Sequence, residues 1–445
     1  MKQRPPPKRL IILAIAAFLT LVVALSQFGN FSNFKHIPDA EHYIAMAKGE
    51  SQKALMPYAR RILHPWIVGK LGLFMNLDIA FFVVGTLSVF FFLYIVTTIL
   101  FYDVKIPLSA SIAFIYLPYL FYLYRSLYLP AIFFLCLTSL YWFLLLHRRY
   151  WISLLVLFLL LLAREEALVI SVSFLLASII HVAKNLRDRK WYIYISTAII
   201  IIILSQIIMG NISASSMNTH NIPAVFSFFL RIPAYFFRNF LGLLHWVDTF
   251  PRKLGYVDEP ILIFEAPHWL KAISSIKQWG IYKWDANCLI RTYIITLSVF
   301  GTGPIVVLFF LKRIGRKIIG KSVPINTILF SGCILFILSP VMGLDMIRYY
   351  VTAWPLFFIL LPFLLKQIRN VDNAVYAKII ASYIICAWLL FLWWFPFEFN
   401  IPRLIFFLGL IMAEIGLYCY SWRLLSVTSK KICLTIENSA AVYFT

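Results

Sequence analysis

The chain has little charge, and very little of it is acid. Only 13% of its 445 residues are Asp, Glu, Lys or Arg, and the bases outnumber the acids 40 to 18. A soluble protein is about a quarter charged and a disordered one is poor in apolar groups, so both classes are excluded. Six cysteines, none in a C-x-x-C pair, supply neither a disulfide framework nor zinc-type spacing. There is no Walker A, G-x-G-x-x-G or H-E-x-x-H stretch, so ATP-driven transport and metalloprotease chemistry have no sequence support. No repeat of about 20–50 residues recurs. What is abundant is apolar surface: 62% of residues are hydrophobic, 18% are aromatic, and the mean hydropathy is +0.87.

Runs near the ~20 residues needed to cross hydrocarbon fall at 10–27, 79–100, 107–123, 128–146, 150–163, 167–182, 191–209, 291–311, 325–343, 349–365, 377–396 and 403–422. They are continuous rather than alternating, which excludes an outer-membrane barrel. The expected class is all-α: one polytopic helix bundle over residues 1–445, with about twelve spans. Runs 150–163 and 167–182 are short and share the hinge Arg164-Glu165-Glu166, so one long broken helix is the alternative to two spans.

Charge orients the bundle. With the N-terminus inside, the clusters KQRPPPKR, HRR, KNLRDRK, KRIGRKIIGK and KQIR all fall on one side, which holds 22 basic and 4 acidic residues against 18 and 13 on the other. By the positive-inside rule that side is cytoplasmic, so the chain reads as a multi-pass protein of the inner (plasma) membrane with both termini in the cytoplasm. The first run resembles a secretory signal ending at Ala24-Leu25-Ser26, and it is read as a retained anchor because eleven spans follow. The net charge of +22 divides into +18 inside, +5 outside and −1 for Glu414 within the last span. Most of it orients the chain and meets anionic lipid headgroups; nucleic acid is not implied.

The unusual polar residues collect on the outer side. The first outer loop, 28–78, contains Pro38-Asp39-Ala40-Glu41-His42-Tyr43 and Pro57-Tyr58-Ala59-Arg60-Arg61-Ile62-Leu63-His64-Pro65. Further along come Arg125, Arg164-Glu165-Glu166 and Asp345 to Tyr350. Ionisable groups at membrane depth are costly and default to function. Carboxylates serve as general bases or hold a divalent cation, and arginines grip phosphate through paired hydrogen bonds.

Each candidate has a plainer reading beside the functional one. Asp39 precedes a helical stretch at 39–48, where it is either an N-cap or a base or metal ligand, with Glu41 completing an Asp-x-Glu pair for Mg or Mn. Arg60 and Arg61 either snorkel at the end of a short surface or re-entrant helix, 62–73, or bind phosphate. Glu165 and Glu166 are a neutralised turn or a cavity wall. Arg348 with Tyr349 is part of an aromatic belt or a headgroup site. The loop 210–290, between spans 7 and 8, is amphipathic around Arg231, Arg238, His245 and Asp248. One or two interfacial helices are expected there, serving as a lid or a structural cap.

The segments DAEHYIAMA and PYARRILHPWIV resemble the D-x-x-x-Y-x-x-x-A and P-x-x-x-R-x-L-x-P patterns of bacterial GT-C membrane glycosyltransferases, the class that includes protein O-mannosyltransferases and the lipid A aminoarabinose transferase. Arg348-Tyr349-Tyr350 ahead of Pro355 is similar to an element near that class's late spans. The acidic motif here is Asp-x-Glu rather than an adjacent pair. The resemblance implies inverting transfer of a sugar from a polyprenyl phosphate to a lipid, glycan or protein on the outer face. It implies Asp39 and Glu41 as catalytic groups and Arg60, Arg61, Arg164, Arg348 and Tyr349 as phosphate binders. His42, Tyr43, His64, Glu165 and Glu166 would then line the cavity, with a divalent cation allowed but not required. An envelope polysaccharide polymerase and a transporter or flippase for lipid-linked solutes are the alternatives.

Overall fold

A computed structural model describes residues 7–28, 39–54, 58–106, 119–185, 188–211, 236–247, 262–265, 278–284, 322–342 and 346–361, with isolated positions at 268, 292, 295, 296, 299, 300 and 363. The expected spans at 377–396 and 403–422, nearly all of 291–311, most of 107–123, and Glu414 lie outside the described residues.

The helices follow the apolar runs. They are α1 (Pro7–Phe28), α2 (Ala40–Ala47), α3 (Leu63–Leu71), α4 (Leu77–Thr98, continued by a wide π turn over Ile99–Asp103) and α5 (Tyr119–Tyr124). After these come α6 (Ala131–Leu146), α7 (Tyr150–Ala163), α8 (Ala167–Lys184), α9 (Lys190–Gly210), α10 (Val323–Met342) and α11 (Met346–Tyr350). Five of the described helices, α1, α4, α8, α9 and α10, are long and apolar enough to cross a membrane; α6 and α7 are shorter apolar helices. Four hydroxyls inside them, those of Thr20, Ser88, Thr98 and Ser171, bond back to the carbonyls four residues earlier. That satisfies the hydroxyl donor at those positions.

The broken-helix alternative for 150–182 does not hold. Tyr150 at the start of α7 and His181 near the end of α8 both pack on Trp191, with ring centroids 4.8 and 4.9 Å away. The two helices therefore run in opposite directions, and the hinge at 164–166 lies at the far end. The same logic sorts the rest of the bundle. Lys8 lies over Phe101, Arg9 over Tyr102, and His147 sits 3.5 Å from Asp103. Asp103, Leu146, Ile325, Ile359 and Phe363 line one small cavity. Among the described residues, those beside the segments read as cytoplasmic thus gather at one end of the bundle, and the described parts of the loops 28–78, 164–166 and 343–348, read as outer, gather at the other.

The core lies where α4 packs on α6 and α1, α6 on α7, and α8 on α10, with α9 laid against both α7 and α8. Exposed Leu10, Phe18, Ile193, Ile200 and Ile207 form the apolar outer faces of α1 and α9. Trp354 is fully buried and donates its indole N–H to Thr138 at 3.1 Å, which ties the chain after α11 to α6.

Loop 210–290 differs from the expectation of helices alone. A helix at 236–241 ends at Gly242, whose φ of 70° suits the left-handed cap position. Three short strands follow: β1 (Leu243–Val247), β2 (Leu262–Glu265) and β3 (Gln278–Trp284), an antiparallel sheet in the order β1-β3-β2 with a register shift between Leu244 and His245. Segments such as LLHWV and QWGIYKW are rich in residues that suit a pleated surface, and strand pairing wins there over an amphipathic helix. Arg231 and Asp248 lie outside the described residues.

Candidate functional site

At the end of the bundle away from the basic segments, three separate pieces of chain bring charged groups together. α7 has only 14 residues, about 21 Å of rise, against ~30 Å of hydrocarbon. Arg164 breaks the helix by adopting extended geometry (φ −160°, ψ 150°), and the two glutamates after it restart the chain as α8.

Two ion pairs form the floor, one fully buried and one half-buried. Arg61 donates from Nε to Glu165 Oε2 at 2.8 Å and from Nη2 to Glu165 Oε1, while its Nη1 donates to the Tyr43 hydroxyl at 2.9 Å. Arg164 donates from Nε to Glu166 at 3.1 Å and pairs with it again through Nη2. The Arg164 guanidinium lies 5.7 Å from the centre of the Phe134 ring and 5.5 Å from that of Tyr349. Arg164 and Glu166 have side chains 3% and 0% exposed, whereas Glu165 keeps 38%. Burial by itself would raise the Glu165 pKa, but Arg61 overrides it and holds the carboxyl down at about 2. For Glu166 burial dominates, and its pKa is pushed up despite Arg164.

Asp39 forms the rim. It stands at the start of α2 with φ 80°, yet its side chain caps no backbone N–H. The plain N-cap reading is therefore excluded. A non-glycine residue in the left-handed region needs support from its surroundings, although Asp tolerates it better than most. The carboxylate instead faces Arg348, with Nη2 3.7 Å from Oδ2, and it hydrogen-bonds Tyr58. Burial, followed by the charge of Asp39, raises the Tyr58 pKa. Tyr58 stacks on His42 at 4.8 Å, meets Tyr43 edge-on at 6.1 Å and lies under the Arg61 guanidinium at 5.6 Å.

Local packing explains how the loop reaches the hinge. α2 lies on α3, and Gly69 makes the crossing possible, since a Cβ there would run into the carbonyl oxygen of Ala47. α3 in turn packs on α4 and α7. At nine residues α3 does not cross the bilayer.

The structure thus joins Asp39, His42, Tyr43, Arg61, Arg164, Glu165, Glu166, Arg348 and Tyr349 in one cluster. Glu41 is not part of it: its side chain is 82% exposed and 4.0 Å from His42. Asp39 and Glu41 have different partners, and among the described residues no group of three or more His, Cys, Asp or Glu is placed to hold a metal. His64 is 1% exposed and packs on Phe81 and Phe133 at 5.6 and 5.5 Å, and burial lowers its pKa to about 3. Arg60 is partly buried, and its Nε has no partner.

Sequence reading passed over two residues. Tyr58 was visible only as part of the P-Y-A-R-R run. Asp78, an acid in the first turn of α4 with no motif around it, accepts a hydrogen bond from the Tyr128 hydroxyl at 2.9 Å. No family model and no curated protein matches the chain.

Proposed function

We propose that the chain is an integral membrane glycosyltransferase that moves a sugar from a polyprenyl-phosphate donor to a lipid, glycan or protein acceptor on the outer, periplasmic face of the inner membrane. The observation that carries this reading is Asp39, a carboxylate held in a strained backbone conformation, freed from helix capping and set 3.7 Å from Arg348 at the rim of an arginine–glutamate floor. Such a group takes a proton from an acceptor hydroxyl. The hydroxyl oxygen then attacks the anomeric carbon, the bond to the lipid phosphate breaks on the opposite face, and the configuration inverts. Arg348 lies beside Asp39 and stabilises the negative charge that grows on the departing phosphate.

Arg61 and Arg164 do different work. Arg61 turns Nε and Nη2 to Glu165 and Nη1 to Tyr43, and Arg164 turns Nε and Nη2 to Glu166, so in this reading they position Tyr43 and Tyr349 rather than hold the donor. Asp39 and Glu41 do not gather as ligands for Mg or Mn. The orientation rests on the basic segments sharing the opposite end of the bundle.

The test uses the full chain in lipid nanodiscs with polyprenyl-phosphate sugars, scoring released polyprenyl phosphate. Asp39→Asn is expected to lower release by about 10²–10⁴-fold with thermal stability unchanged. Normal turnover in that variant overturns the role of Asp39; a wild-type protein that releases no lipid phosphate from any such donor overturns the reading.

A further inference from the structure

The end of the bundle away from Asp39 also holds its chain in uncommon conformations. α4 closes there in the π turn Ile99–Asp103, a form that concentrates at functional positions. Three consecutive side chains of that turn each meet a different basic residue. Lys8 Nζ lies 5.8 Å from the centre of the Phe101 ring, the Arg9 guanidinium lies 5.7 Å from that of Tyr102, and His147 Nε2 is 3.5 Å from Asp103 Oδ1. Lys105 and Arg148, close beyond Asp103 and His147, have φ of 60° and 59°. Apart from Asp39 they are the only non-glycine residues at positive φ among the described residues. A long basic side chain has no local hydrogen bond to favour that region, so both turns are strained, and such strain collects where ligands are held.

Lys8, Arg9, Lys105, Arg148 and Arg149 are all exposed. The stretches 7–28, 99–106 and 146–151 that carry them contain one acid, Asp103, and it is turned to His147. Five cations against one engaged carboxylate make a surface suited to an anion. Lys8 and Arg9 are already held over rings, so they lose little freedom when an anion arrives. The chain that follows identifies the kind of anion. Leu10, Ile11 and Leu13 come after Arg9 with their side chains exposed, and Trp151, Ile152 and Leu155 come after Arg149 in the same way. A soluble anion has no use for that apolar surface, whereas a phospholipid carries a charged head directly above apolar chains.

We infer that this patch binds the headgroup of one anionic phospholipid, with Lys8 and Arg9 reaching it from α1 and Arg148 and Arg149 from the α6–α7 turn, and with its acyl chains against the exposed apolar side chains next to them. Basic loops in general are drawn to charged leaflets. Here the ring-held cations and the two strained turns fix a position for a single lipid. The site lies at the opposite end of the bundle from Asp39 and owes nothing to the glycosyltransferase reading.

The experiment counts the lipids that the full chain retains in native mass spectrometry after release from nanodiscs of equal parts phosphatidylcholine and phosphatidylglycerol. Wild type is expected to keep one phosphatidylglycerol per chain in preference to phosphatidylcholine. Lys8→Gln with Arg9→Gln should lower that retention about tenfold or more, at unchanged melting temperature. Arg148→Gln with Arg149→Gln should do the same, so the outcome does not hang on the folding of one variant. Lys184→Gln with Lys190→Gln removes an equal charge from the two sides of the α8–α9 turn and should leave retention unchanged. A loss there as large as in the Lys8 and Arg9 variant means diffuse attraction and overturns the site. Retention equal to wild type in either of the first two paired variants overturns it as well. So does equal retention of phosphatidylcholine, which means the tails alone are recognised, and so does displacement of phosphatidylglycerol by inorganic phosphate, which makes a soluble anion the occupant.

Discussion

Replacing Arg164 by Met tests whether the floor of the site is an ion pair sustained by burial. Met keeps much of the side-chain volume between Phe134 and Tyr349 and removes the charge. Glu166 is 0% exposed and would lose the guanidinium that faces it. Breaking a buried pair by deleting one partner costs about 3–5 kcal/mol, because a buried charge is left uncompensated. Here the loss has a ceiling, since the stranded carboxyl takes up a proton instead. Holding that proton at pH 7, on a group whose unfolded pKa is ~4.3, costs about 3.7 kcal/mol. At pH 5.5 the same cost is about 1.6 kcal/mol. The folded variant binds more protons than its unfolded chain, so its stability falls as pH rises above ~4.3, by about 1.4 kcal/mol per pH unit. Unfolding in mixed micelles between pH 5.5 and 7 reads this directly. Adding Glu166→Gln should remove the slope and recover much of the loss. A single variant that loses less than about 1 kcal/mol at pH 7, as an exposed pair would, or that shows no slope, refutes the reasoning.

Two further outcomes follow from the same geometry. Glu165 is held near a pKa of about 2 in the folded chain, so the stability it contributes is fully present above ~4.3 and is lost as pH falls toward 2. With 38% of its side chain exposed the contribution is discounted to about 1–2 kcal/mol, and Glu165→Gln should flatten this acid limb in pH-dependent unfolding. Gly69→Ala sets a methyl against the Ala47 carbonyl oxygen and forces α2 away from α3. It should cost about 1–3 kcal/mol and reduce lipid-phosphate release through displacement of Asp39, and a neutral result in both assays would show that the crossing is not tight.

The helices were legible because the interior of a membrane bundle demands long uninterrupted apolar runs, and Leu77–Thr98, Lys190–Gly210 and Val323–Met342 each lie within a few residues of the run that announced them. The candidate residues were legible for a related reason: Arg61, Arg164, Glu165 and Glu166 stand out against a chain that is otherwise almost free of charge. Their pairing was not. Arg61 and Glu165 are 104 residues apart, and nothing local distinguishes Glu165 as the partner of Arg61 from Glu166 as the partner of Arg164. Likewise Asp39 and Glu41 read as a unit from their spacing, yet a left-handed turn at Asp39 sends one carboxylate to Arg348 while the other remains in solvent.

By itself the sequence determined that this chain carries several long apolar helices of a multi-pass membrane protein, and roughly where the described ones begin and end, because hydrocarbon thickness acts on each stretch of chain independently. The tertiary structure decided what those segments do to one another. It set the opposite directions of α7 and α8, formed the sheet in the large loop, and paired Arg61 with Glu165 and Arg164 with Glu166. These outcomes depend on which side chains meet across helices distant in sequence, and no local pattern of polarity specifies that.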